Sequence, residues 1–203
     1  MGERRETIVA AAAAVMCRKG FHETSVEDVI KESGLCGKGH FYHYFKSKEE
    51  LGYAVLRHQF AHFAERSLAV LRDPTKGPLE RLEEFIDTVM VTSERDGDDP
   101  CGALAMEMAD KHEGFRQQVD ALFERWTAQI EALFWEARPQ FGEYVDISRL
   151  ARFTVATLEG ALFTSRVRRD PGVSADVMAE LKRYVASQLR ERERVFAAPI
   201  IDR

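Results

Sequence analysis

The sequence predicts an all-α protein: a small three-helix module at the N-terminus, then a larger helical part, about nine helices in all. Three observations carry this expectation. Apolar residues recur three and four apart along most of the 203-residue chain, and no stretch alternates over strand length. The breaks between these stripes hold helix punctuation, either a hydroxyl with a carboxylate three residues on or glycine and proline. The composition, 45% hydrophobic and 31% charged, is that of a globular chain able to bury a core, and no apolar run approaches the length of a membrane span.

The first helix closes at Gly20-Phe21, with Cys17 placed on its apolar face. Thr24 followed by Glu27 fits a capping box, and Val26, Val29 and Ile30 give the second helix one apolar face. Gly34 ends it, since glycine tolerates the left-handed conformation of a helix terminus, and Leu35 then turns into the core. A short third helix covers Gly37 to Tyr44. Ser47 with Glu50 forms another capping box, so a fourth helix starts at Lys48.

On the third helix, Phe41 and Phe45 are one turn apart and face inward, which leaves Lys38, His40, Tyr42 and His43 outward and Tyr44 at the edge. Gly37 and Gly39 are costly in a helix and suit a backbone that must approach something bulky. A basic, aromatic helix presented after a tight turn has the chemistry of one that enters a DNA groove: lysine neutralises phosphate, while tyrosine and histidine donate to phosphate or base edges. Each residue alone reads as an ordinary solvated helix face; their agreement in register favours the groove.

Residues 5 to 51 resemble the DNA-binding domain of the TetR (tetracycline repressor) family of transcriptional regulators. The pieces that carry the resemblance are Gly20-Phe21, Thr24-Ser25-Val26, Gly34 and the run from Lys38 to Leu51, in which Y-H-Y-F-K-S-K-E-E-L is highly specific. The resemblance implies that Tyr42, His43 and Tyr44 touch phosphates or base edges, that Lys38 and His40 face the groove, and that Thr24 and Lys48 bind phosphate at the starts of the second and fourth helices. It further implies a homodimer on a palindromic double-stranded operator. Here Gly34 to Tyr42 is eight steps, where the family commonly has seven. The expected domains are 1–47, reading DNA, and 48–203, binding an effector and dimerising.

The formal charge of −5 is unevenly spread. Residues 1–56 hold eight Lys+Arg and eight Asp+Glu, so the remaining 21 bases and 26 acids carry the excess. Binding to DNA must then rest on a few placed contacts, with modest non-specific affinity. Three widely spaced cysteines, Cys17, Cys36 and Cys101, and the lack of a secretory pattern point to reduced thiols in a cytoplasm.

Beyond Lys48, Leu51, Val55, Leu56, Phe60 and Phe63 mark one long helix to about Leu71, and residues 73–78 read as a loop. Leu79 to Ser93 is amphipathic, Glu94 to Pro100 an acidic loop, and Cys101 to Lys111 a short helix. Phe115–Ala137, Ile147–Arg168 and Ser174–Phe196 are the remaining long helices. The last two carry Phe153, Gly160, Ala161, Val177, Leu181 and Tyr184, expected at a four-helix dimer interface, where a small pair lets helices close up. Met90, Cys101, Met106, Phe123, Trp126 and Phe163 are candidates for an apolar effector pocket. Glu107, His112 and Glu159 are polar groups without an assigned place. Cys101, at a helix start, is also a candidate electrophile or oxidant switch.

The competing classes are an enzyme and a helical protein-interaction adaptor. His58 and His62 stand at i, i+4, a two-ligand spacing, but no H-E-x-x-H run or third ligand accompanies them, so neither a metal nor a cofactor is expected. No glycine-rich phosphate loop or nucleophile elbow is present. The favoured reading is a transcriptional regulator, a repressor released by a small molecule or by thiol modification, with no membrane contact.

Overall fold

A computed structural model describes residues 2–63, 69–96 and 102–190, apart from the side chains of residues 60, 62, 63, 92–96, 102–104 and 111. Nine α-helices lie among the described residues: α1 (Gly2–Lys19), α2 (Val26–Ser33), α3 (Lys38–Tyr44), α4 (Lys48–Phe63), α5 (Pro78–Asp96), α6 (Gly102–Lys111), α7 (Glu113–Glu136), α8 (Ile147–Arg168) and α9 (Pro171–Ser187). Packing divides them into two units, residues 1–65 with 98–122, and residues 66–97 with 123–203. The expected domain boundary after residue 47 is therefore not a packing boundary, because α4, α6 and the start of α7 pack with the first three helices.

In the first unit, α1 buries Ile8, Val9, Ala12, Val15 and Met16 and packs on α2 and α4, which bury Val29, Leu51 and Val55. Gly20 ends α1 in the left-handed conformation, with φ +86°, and its N–H donates to Met16 O. Cys17 is exposed rather than core, and its sulfur accepts from Gln59 Nε2 at 3.3 Å. Gly52 shows why α4 belongs here. A Cβ on it would lie 2.7 Å from both Met108 Cε and the Phe21 ring, so only glycine lets α4 close on α6 and on the turn after α1.

In the second unit, Leu82, Phe85, Ile86 and Val89 of α5 and Trp126, Ile130, Leu133 and Phe134 of α7 are all buried, and Phe85 meets Trp126 edge-on. Helices α8 and α9 form a hairpin across Arg169 and Asp170. Arg169 takes the left-handed position and Asp170 caps α9, with Pro171 as its first residue. This cap starts α9 three residues before the expected Ser174, and the helix ends at Ser187 instead of running to Phe196. After it, Gly142 N donates to Gln188 O and Arg190 N donates to Gln140 O, an isolated bridge that takes the chain out of helix.

Three other expectations shift. Leu71 sits in a 3-10 turn, Val70–Arg72, rather than closing a long fourth helix, and its carbonyl accepts from the buried Arg81 at 3.0 Å. Helix α5 extends to Asp96, past the expected loop start at Glu94. Cys101, the rest of that loop, and the stripe side chains of Phe60 and Phe63 lie outside the described residues. No helix of the described residues is long and apolar enough to cross a membrane.

Candidate nucleic-acid interface

Helix α3 is fixed from beneath by two rings. Phe41 and Phe45 are 0% and 1% exposed, with ring centroids 6.0 Å apart. Tyr42, between them in sequence, is 52% exposed, and Lys38 and His43 are likewise exposed. His40 and Tyr44 are half-buried and rest against each other, centroids 5.6 Å apart. The turn between α2 and α3 is built on two glycines. Gly34 at φ +64° and Gly37 at φ +151° bracket Leu35 and Cys36, so Leu35 still reaches the core while Cys36 stays exposed.

The cap on α2 is one residue later than expected. Ser25 accepts from Asp28 N, and the Asp28 carboxylate accepts from Ser25 N at 3.0 Å, closing the box. Thr24 is 1% exposed and its hydroxyl donates to Gly20 O at 2.7 Å. Thr24 and Glu27 also match the capping pattern, so the sequence offers two overlapping boxes, and the buried hydroxyl is taken by the turn. Ser47 does accept from Glu50 N at 3.1 Å, while the Glu50 carboxylate reaches Lys46 N instead of Ser47 N.

Most cations of this module have internal partners. Arg18 pairs with Glu32, Lys19 with Asp28 and Lys38 with Glu27. Arg4 donates to Gly34 O, and the Arg5 guanidinium lies 4.6 Å from the Phe45 ring centroid. Lys38 holds the Glu27 carboxyl below its ordinary value, and that carboxylate in turn raises Lys38. Lys19, with the Ser25 amide and hydroxyl, holds Asp28 far below the carboxylate range.

Lys48 is placed unlike a phosphate ligand. Its ammonium donates to three carbonyls, Phe21 O, His22 O and Thr24 O, at 3.1, 3.2 and 3.1 Å, and lies 4.7 Å from the Phe21 ring centroid. An ammonium has three protons, and each has an acceptor here. No sequence signal marked this, because three converging carbonyls exist only once the turn has folded.

The other candidate sites separate into two groups. Phe123 and Trp126 stack, with centroids 6.2 Å apart, and Phe85 meets Trp126 edge-on; Met90 is half-buried on α5. Met106 is 63% exposed and Phe163 44% exposed. On α8 and α9, Phe153 and Tyr184 are exposed and in ring contact at 4.8 Å, Gly160 is open, and Val177 is half-buried. Ala161 and Leu181 are each 2% exposed. Both are covered within their own chain, so neither is part of the exposed face expected for a dimer surface. Among the described residues, no group of three or more His, Cys, Asp or Glu is placed to hold a metal ion.

Comparison with known proteins agrees with this geometry. Residues 8–55 match the family described as bacterial regulatory proteins, tetR family, and residues 78–180 match the LmrA/YxaF-like transcriptional regulator C-terminal domain. An HTH-type transcriptional regulator of Mycobacterium tuberculosis is 29% identical over 202 residues, covering 94% of this chain and 98% of that one. The HTH-type transcriptional repressor DhaR of a Mycobacterium species is 24% identical over 82% of this chain and 84% of its own. The crystal structure of a TetR transcriptional regulator from Chloroflexus aurantiacus superposes with a TM-score of 0.83 at 29% identity, over 93% of this chain and 96% of that chain. With its N-terminal helix-turn-helix and its C-terminal helices both matched, the chain belongs to the TetR family of DNA-binding transcriptional regulators.

Proposed function

We propose that the protein is a cytoplasmic repressor that binds a palindromic operator as a homodimer and releases it when a small molecule, or an electrophile acting on a thiol, engages residues 48–203. The observation that carries the DNA half is the two-sided α3. Phe41 and Phe45 anchor it, and Tyr42, His43 and Lys38 are presented together on the other side. In this reading those three, with His40 and Tyr44 at the margin, meet phosphate and base edges, whereas Thr24 and Lys48 act from beneath. Selection of duplexes from a random pool by the wild-type protein supplies the probe. Tyr42→Ala and Lys38→Ala each weaken binding to the selected duplex by about tenfold, the scale of 1–3 kcal/mol for a placed contact, with thermal stability unchanged. A Tyr42→Ala protein that binds as well as wild type sinks the assignment of α3 as reading helix.

The dimer half rests on α8. Phe153, Gly160, Phe163 and Val167 are exposed, and 153, 160 and 167 are seven apart, so they share one face. Gly160, with no heavy atom within 4 Å of a built Cβ, is where a partner helix approaches closely. Gly160→Arg yields a monomer by sedimentation equilibrium and loses the selected duplex, since each half-site contact alone is weak. A dimer that persists with undiminished DNA binding removes this face from the interface. For the effector, the Phe85–Phe123–Trp126 cluster supports an apolar, aromatic-lined site. The repressor sense leans on the name of the DhaR relative.

A further inference from the structure

The turn from Gly20 to Thr24 joins α1 to α2, and its backbone is gripped from two directions. Its carbonyls at Phe21, His22 and Thr24 face the Lys48 ammonium from α4. Its amides face a carboxylate from α6. Phe21 N donates to Glu107 Oε2 at 2.9 Å, and His22 N donates to Glu107 Oε1 at 2.8 Å. One carboxylate thus satisfies two successive amides 85 and 86 residues away in sequence, and charge-assisted bonds of this kind are roughly twice as strong as neutral ones. Rings seal the joint. Phe21 meets Phe115 edge-on at 5.5 Å, and His22 stacks on His112 at 6.2 Å with planes 23° apart.

Gly20 shows that the fit is close. A Cβ there would stand 2.7 Å from Glu107 Oε2 and 3.2 Å from Oε1, and the residue is held at φ +86°. Any side chain at Gly20 would both strain the backbone and push the carboxylate off the amides. Helix α2 starts directly after this turn, and α3 packs on α2, so the pose of the turn sets the pose of the reading helix.

We propose that Glu107 is a positioning residue for DNA recognition, supplied by α6 from outside the helix-turn-helix: it fixes the α1–α2 turn and thereby the register in which α3 meets base edges. Sequence-specific contacts need α3 held to within about half an ångström, whereas non-specific contacts to phosphates tolerate a looser module. Loss of the clamp therefore separates the two modes of binding. A role confined to holding the fold together would not.

This inference rests on the DNA-binding reading above, and its test keeps the two apart. The protein is the full-length dimer, the probes are the duplex selected by wild type and a scrambled duplex of equal length, and both are titrated where circular dichroism shows every variant fully helical. Glu107→Gln is isosteric, but its amide nitrogen would face one of the two N–H donors, so at most one bond survives. Its affinity for the selected duplex falls at least fivefold, its affinity for the scrambled duplex stays within twofold of wild type, and the Phe21 and His22 amides exchange faster with solvent. Gly20→Ala, which keeps the glutamate in the sequence but pushes its carboxylate off the two amides, reproduces that pattern. Specific affinity within twofold of wild type in either folded variant, or equal loss on both duplexes, overturns the proposal. A wild type that selects no duplex overturns the parent reading and this one together; a wild type that selects one beside an unaffected Glu107→Gln overturns this one alone.

Discussion

Lys48→Met unfolds the N-terminal unit at a lower temperature and abolishes binding to the selected duplex. The side chain keeps its length and loses its charge, so Phe21 O, His22 O and Thr24 O are left facing a thioether. Hydrogen bonds to a charged group contribute about 1.5–3 kcal/mol each, and three that share one ammonium are not additive, so the loss is about 2–4 kcal/mol. Lys48→Arg does not restore stability, because a planar guanidinium fork cannot direct three donors at carbonyls converging on one point. That variant separates two roles. A phosphate ligand would tolerate arginine and leave the melting temperature alone, whereas a turn clamp loses both stability and recognition. Thermal denaturation alongside DNA titration reads the difference directly, and a Lys48→Arg protein as stable as wild type would return Lys48 to the phosphate.

Phe41→Ala is the second large effect. The ring is 0% exposed and packs on Phe45, so truncation leaves a cavity under the reading helix. Core phenylalanine truncations cost about 3–5 kcal/mol. Helix α3 spans only seven residues, too short to persist without its anchor, so DNA recognition disappears along with stability. Its neighbour makes the contrast. Tyr42→Ala removes an exposed ring and lowers affinity alone. Urea titration of both variants checks the pair, and equal midpoints for Phe41→Ala and wild type would mean that α3 is held by something other than its inner face.

What could be read from the sequence follows from which signals are local. Caps, helix-ending glycines and apolar periodicity depend on residues within a turn or two of each other, and these located α2, α3 and α8 closely. Ambiguity entered where two local patterns overlapped, as with Thr24–Glu27 and Ser25–Asp28; burial of Thr24 decided between them. An apolar stripe also says that a helix face is covered without saying by what. Phe153 and Tyr184 are exposed while Ala161 and Leu181 are buried within the chain, although all four lie on the same two helices. Residues whose partners are backbone atoms of a distant turn, Lys48 and Glu107, had no sequence signature at all. Their partners are carbonyls and amides that every residue carries, and only the folded turn gathers them.

The internal pairing of the N-terminal cations bears on how the protein searches a chromosome. Of the eight lysines and arginines in residues 1–56, six are engaged by Glu27, Asp28, Glu32, Gly34 O, the Phe45 ring or the turn carbonyls. Each of these must leave an internal partner before it takes a phosphate, so an arbitrary stretch of duplex offers little gain on contact. Brief residence on non-target DNA and short sliding runs are the expected result. Occupancy of a specific site is therefore expected to fall little when excess non-specific duplex is added, which a competition titration reads.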